Sequence, residues 1–63
     1  MTRERFLARQ MEMTTLSLMC ITLCSGKVRH VLNRDIGEVR EDGVVIGEDD
    51  FISFEMIDTV EVK

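Results

Sequence analysis

A chain of 63 residues with a formal charge of −4 makes one small domain, and a domain of that size buries only about 60% of the surface its unfolded form exposes. That leaves little room for a deep, water-excluding active site, and argues for a non-enzymatic chain that takes support from a disulfide, a metal or a second subunit. With only two cysteines, far from the dense framework of a secreted mini-protein, self-association into a homo-oligomer is the economical choice.

In chain order, Thr2 to Met13 is built from good helix formers, with Thr2 in position to cap the first turn. Phe6, Gln10 and Met13 share one side and Leu7 and Met11 the adjacent stripe, so an amphipathic helix is predicted over about residues 2–14. A helix that short is marginal alone and needs a surface to pack on.

The next stretch, Thr15 to Lys27, admits three readings. As the apolar centre of an export signal it would follow Arg3, Arg5 and Arg9. Glu4 and Glu12 interrupt that positive region, however, and Leu23-Cys24-Ser25-Gly26 suits cleavage poorly. It is also far shorter than the ~20 residues of a membrane span, so a cytoplasmic chain without a membrane segment is expected. As a helix face it would align Leu16, Met19, Cys20, Leu23 and Cys24. The β-branched Thr14, Thr15, Ile21 and Thr22 oppose that, and the run from Val28 needs an upstream partner one tight turn away. A strand ended by Ser25-Gly26 is therefore preferred, with helix and strand still competing from Thr15 to Met19.

Beyond Val28-Arg-His-Val31, turn signals stand at Asn33-Arg34-Asp35, Glu41-Asp42-Gly43 and Gly47 to Asp50. Between them lie Ile36 to Arg40, Val44 to Ile46 and Phe51 to Phe54, rich in β-branched and aromatic residues. In the closing run Met56 to Val62, Val60 and Val62 alternate with Thr59, Glu61 and Lys63. The predicted fold is mainly β: an N-terminal α-helix over about 2–14, then a five-stranded, strongly bent antiparallel barrel over about 16–63, whose open end the helix covers.

The order of these elements resembles a known group. A helix leads into Ile21-Thr-Leu-Cys-Ser-Gly-Lys-Val28, a strand-turn of the V-x-L-x-x-G-x type. A long bent second strand, the Val44-Val-Ile strand and Phe54-Glu-Met-Ile-Asp-Thr-Val60 follow. This is similar to the Sm-like and SH3-like small barrels: the Sm and LSm proteins, the RNA chaperone Hfq, and the Rho-inhibitor family Rof. The resemblance implies rings or small oligomers formed by pairing late strands. Its Rof-like branch, small and acidic, implies a regulator that binds a protein partner.

Several residue groups are candidates for chemistry. Cys20 and Cys24 would face one side of a strand about 13 Å apart, too far for a disulfide. His30 is the only histidine, so a zinc site would need a carboxylate. The pair reads as two small buried hydrophobes, with a cysteine-based metal or redox role as a lesser alternative, and no cofactor or metal is expected. The charge is uneven: residues 1–34 hold six Lys/Arg against two Glu, and residues 35–63 hold two against ten Asp/Glu. Asp42, Glu48, Asp49 and Asp50 are the candidate acidic contacts for a basic protein partner, acting through electrostatic steering. Arg3, Arg5, Arg9, Lys27, Arg29 and Arg34 would carry the alternative, an RNA-binding front. Without Trp or Tyr, base stacking would fall to Phe6, Phe51 and Phe54, which read as core. The acidic balance favours the protein partner, because phosphate neutralisation by Lys and Arg supplies most nucleic-acid affinity. The five methionines suit core or contact-surface filling.

Overall fold

The computed structural model describes residues 1–63. Helix α1 runs Arg3–Met11. Thr2 precedes it in extended conformation, and its Oγ1 accepts the Arg5 N–H at 3.2 Å. That bond satisfies one of the free donors of the first turn. Phe6 is the one helix residue that is fully buried.

The helix stops short of residue 14 because Thr14 and Ser17 build a competing turn. The Thr14 N–H donates to Ser17 Oγ at 2.8 Å, the two hydroxyls lie 3.0 Å apart, and the Ser17 N–H returns to the Thr14 carbonyl at 3.1 Å. Side-chain hydroxyls that bond nearby backbone offer the chain an alternative to helix. Ser17 is buried with its polar atoms satisfied. The ambiguous stretch is thus divided: a turn through Thr15 and Leu16, then strand from Leu18.

Two antiparallel three-stranded sheets follow. The first is ordered β2 (Val28–Leu32), β1 (Leu18–Leu23), β6 (Ile57–Val62); the second is ordered β3 (Ile36–Val39), β4 (Gly43–Ile46), β5 (Asp50–Ser53). The β1–β2 turn passes through Gly26 at φ +93°, a conformation that a Cβ penalises. Short 3-10 turns at Asn33–Asp35 and Phe54–Met56 carry the chain from one sheet to the other.

The core lies between the sheets. Met19, Ile21, Val31, Ile57 and Val60 come from the first sheet, and Val44, Ile46 and Ile52 from the second. Phe54 sits at the second 3-10 turn, and Phe6 closes one end, with the two rings 5.8 Å apart at 46°. That is ordinary aromatic packing geometry. Strand pleating sets which side chains join the core: Met19 and Ile21 enter it while Cys20 between them is buried on the opposite face, and Val44 and Ile46 likewise flank the half-buried Val45.

Two expectations require correction. The predicted five strands are six, because the Asn33–Asp35 turn splits the long bent second strand into β2 and β3. The expected barrel does not close: β5 and β6 do not pair, so each sheet keeps its own edges. The Ser53 side chain, accepting the Glu55 N–H at 3.4 Å, starts the tight turn that takes the chain off one sheet before it joins the other. The mostly β content, the antiparallel pairing and the N-terminal helix are as predicted.

Candidate functional site

The acidic residues divide between the two ends of the second sheet. Asp42 belongs to the β3–β4 turn, whereas Glu48 and Asp49 belong to the β4–β5 turn and Asp50 opens β5. Strand β4 runs between the two turns, so Asp42 stands apart from the other three. Asp50 is in addition engaged, its Oδ2 accepting an Arg29 guanidinium N–H at 3.0 Å.

Asp42 instead meets carboxylates that the sequence analysis did not single out. The Phe54 N–H donates to the Asp42 carbonyl at 2.9 Å, which ties the β3–β4 turn to the 3-10 turn that carries Glu55. The first turn of α1 closes the third side. The result is an open groove of about 540 Å³ lined by Glu4, Glu41, Asp42 and Glu55, with Phe54 and Met1 as its apolar surface and Arg3 as its one cationic side chain. The Met1 amine donates to the Ile57 carbonyl at 3.4 Å, so its own charge is held at the β6 end of the groove. Glu41 adjoins Asp42 in sequence and was within reach of a charge-run argument. Glu4 and Glu55 were not, since only the fold brings residues 4, 42 and 55 together.

Gly43 makes this arrangement sterically feasible. A Cβ there would collide with the Ile52 carbonyl oxygen and the Phe51 ring. The chain after Asp42 can therefore approach β5 closely only without a side chain.

The six candidate cationic residues are dispersed. Arg3 lines the acidic groove; Arg5 and Arg9 line a second, smaller groove with Ala8, Asp58, Thr59 and Val60. Lys27 sits at the β1–β2 turn, Arg29 is bonded to Asp50, and Arg34 lies in the Asn33–Asp35 turn beyond the far end of β2. Of the three phenylalanines, Phe6 and Phe54 are core as expected. Phe51 is not: it is 45% exposed, with the Arg40 guanidinium 6.0 Å above its ring.

The cysteines also part company. Both are free thiols; Cys20 is buried on the outer face of β1, between His30 of β2 and Glu61 of β6. Cys24 is exposed beyond the end of β1, its thiol donating to the Glu55 carbonyl at 3.6 Å. The expectation of two buried cysteines on one face fails because the β1–β6 register shifts between Thr22 and Leu23, which ends the alternation before Cys24. No three His, Cys, Asp or Glu side chains lie close enough together to hold a metal ion. No helix is long and apolar enough to cross a membrane.

No protein-family model, curated protein or solved structure matches this chain.

Proposed function

We propose that this chain is a non-enzymatic regulatory binding module that docks a basic segment of a protein partner in the acidic groove beside Phe54. The observation that carries the reading is the composition of that groove: four carboxylates from three separate parts of the chain, one guanidinium, and an apolar surface from Phe54 and Met1. Complementary charge of this kind steers encounter and suppresses wrong partners. The half-buried Met1 side chain adds apolar surface on which the alkyl stem of a partner arginine or lysine packs. Glu48 and Asp49, exposed at the other end of β4, contribute long-range attraction.

The connectivity supports kinship with the Sm-like small barrels. Read through the Asn33–Asp35 turn, the strands follow one another as β6, β1, β2–β3, β4, β5, which is the order of such a barrel left open between its last two strands. The Rof-like members of that group are the ones whose role, binding a protein through a small acidic domain, fits the groove.

Titration with a short arginine-rich peptide tests the proposal. Saturable binding that weakens with salt, and that drops on Glu41→Gln, Asp42→Asn and Glu55→Gln together, is the expected result. Binding unchanged in that triple variant sinks it. A parallel titration with a single-stranded oligonucleotide serves as the competing arm: tighter binding there, lost on Arg5→Ala and Arg9→Ala, transfers the function to RNA.

A further inference from the structure

The acidic groove borders a sheet edge that no strand of the chain fills. β5 pairs with β4 alone. Its register is regular, whereas the β1–β6 and β3–β4 pairings each contain a shift. Asp50-Phe51-Ile52-Ser53 also lacks the lysine and proline that blunt exposed edges. β6, the strand that β5 fails to meet, has α1 packed along it.

Two hydrogen bonds fix which backbone groups of β5 face that edge. The Arg40 N–H donates to the Gly43 carbonyl at 2.8 Å, so Gly43 turns its backbone groups toward β3. Alternation turns those of Val44 toward β5, where Ile52 stands opposite. The Phe54 N–H on the Asp42 carbonyl, at 2.9 Å, has the same phase. Ile52 therefore directs its groups to β4, and Phe51 and Ser53 direct theirs away from it. The Ser53 carbonyl is committed to the 3-10 turn that Ser53 caps. Three groups stand on the free edge: the N–H and carbonyl of Phe51 and the N–H of Ser53. No turn or loop bond reaches any of them.

We propose that the basic segment of the partner binds as an added β-strand on β5. Its backbone pairs with Phe51 and Ser53, and its arginine or lysine side chains reach the carboxylates of the groove. The two halves of the surface select this occupant together. Alternating N–H and carbonyl groups on an open edge are satisfied by another extended backbone, the mode of strand addition. Ser53 itself lines the groove with Glu4, Glu41, Asp42 and Glu55, so the edge and the negative charge are continuous, and a cationic segment complements both. Strand addition rests on the docking of a basic segment proposed above and specifies its conformation and the main-chain atoms that recognise it.

Amide hydrogen exchange of the full chain, with and without a capped peptide of alternating arginine and valine, tests the mode. The Phe51 and Ser53 amides are expected to exchange freely in the unbound protein and to slow about tenfold or more in the complex. A peptide of the same sequence with every backbone nitrogen methylated keeps the charges but offers no N–H, and is expected to bind about tenfold more weakly or worse. Ser53→Pro removes the outward N–H at a residue whose φ of −69° suits the proline ring. It is expected to weaken the peptide more than Ser53→Ala, which keeps that N–H, and circular dichroism verifies that both are folded. Amides already protected without peptide, or a peptide that does not bind, overturn the proposal. If binding falls in the Glu41→Gln, Asp42→Asn, Glu55→Gln variant but tolerates N-methylation and leaves the two amides unprotected, strand addition fails and the groove stands. If the two amides gain protection while the triple variant binds as tightly as wild type, the groove fails and the edge stands.

Discussion

The two sheets share a core but divide the work differently. The β2–β1–β6 sheet has strands of five and six residues and supplies Met19, Ile21 and Ile57, three of the five largest fully buried side chains. The helix packs along its β6 edge. The β3–β4–β5 sheet has three strands of four residues, and its turns carry Glu41, Asp42, Glu48 and Asp49. Longer strands bury more apolar surface and tolerate a polar rim, while short strands leave a larger share of their residues in solvent-facing turns. The first sheet is thus built for cohesion, and the second presents charge.

That contrast is broken most severely at its hinge point. Phe6→Ala removes the ring that joins α1 to Phe54 and should cost about 3–5 kcal/mol. Against a total stability of roughly 3–9 kcal/mol for a chain of this length, chemical denaturation should find the variant largely unfolded; a loss under about 1 kcal/mol would mean that the helix is not part of the cooperative unit. Gly43→Ala attacks the second sheet alone. The collision with Ile52 and Phe51 should cost about 1–3 kcal/mol, and amide exchange should show β4 and β5 loosening while β1 and β2 keep their protection. Uniform loss of protection would show instead that the two sheets open as one.

Smaller effects sharpen the functional side of the comparison. Neutralising Glu41, Asp42 and Glu55 should lower arginine-peptide affinity by about tenfold, roughly 1.4 kcal/mol, with no loss of thermal stability. Neutralising Glu48 and Asp49 should reduce the association rate without much effect on dissociation, as expected of charges outside the contact. The smallest change belongs to the exposed Arg29–Asp50 pair that bridges the sheets. A double-mutant cycle with Arg29→Ala and Asp50→Ala should give a coupling of about 0.2–1 kcal/mol, shrinking with salt. A coupling well above that range would make this pair a structural tie between the sheets.

Much of the second sheet was legible because its strands are short β-branched runs between strong turn signals; Val44 to Ile46 is an instance. The candidate site was legible only in part. Asp42 was found through its acidic turn, yet grouping it with Glu48, Asp49 and Asp50 used nearness in sequence, and a three-stranded antiparallel meander sends its two turns to opposite ends. Glu55 was missed because its neighbours in sequence, Phe54 and Met56, give no hint that the Asp42 carbonyl binds the Phe54 N–H. Cys24 was misjudged because alternation along β1 was carried past a register shift that no residue type announces.

The sequence by itself determined the helix cap at Thr2, the glycine turn after Ser25, the mostly β texture and the separation of a basic front from an acidic back. Each follows from local chemistry: a hydroxyl that accepts a backbone N–H, a residue without Cβ, side-chain branching, and counted charge. Only the tertiary structure decided that the helix stops before Thr14, that the strands form two open sheets in place of one closed barrel, and that Glu4, Asp42 and Glu55 meet. Those outcomes depend on hydrogen bonds and close approaches between segments distant in the chain or competing for the same backbone groups, and composition and spacing do not encode them one residue at a time.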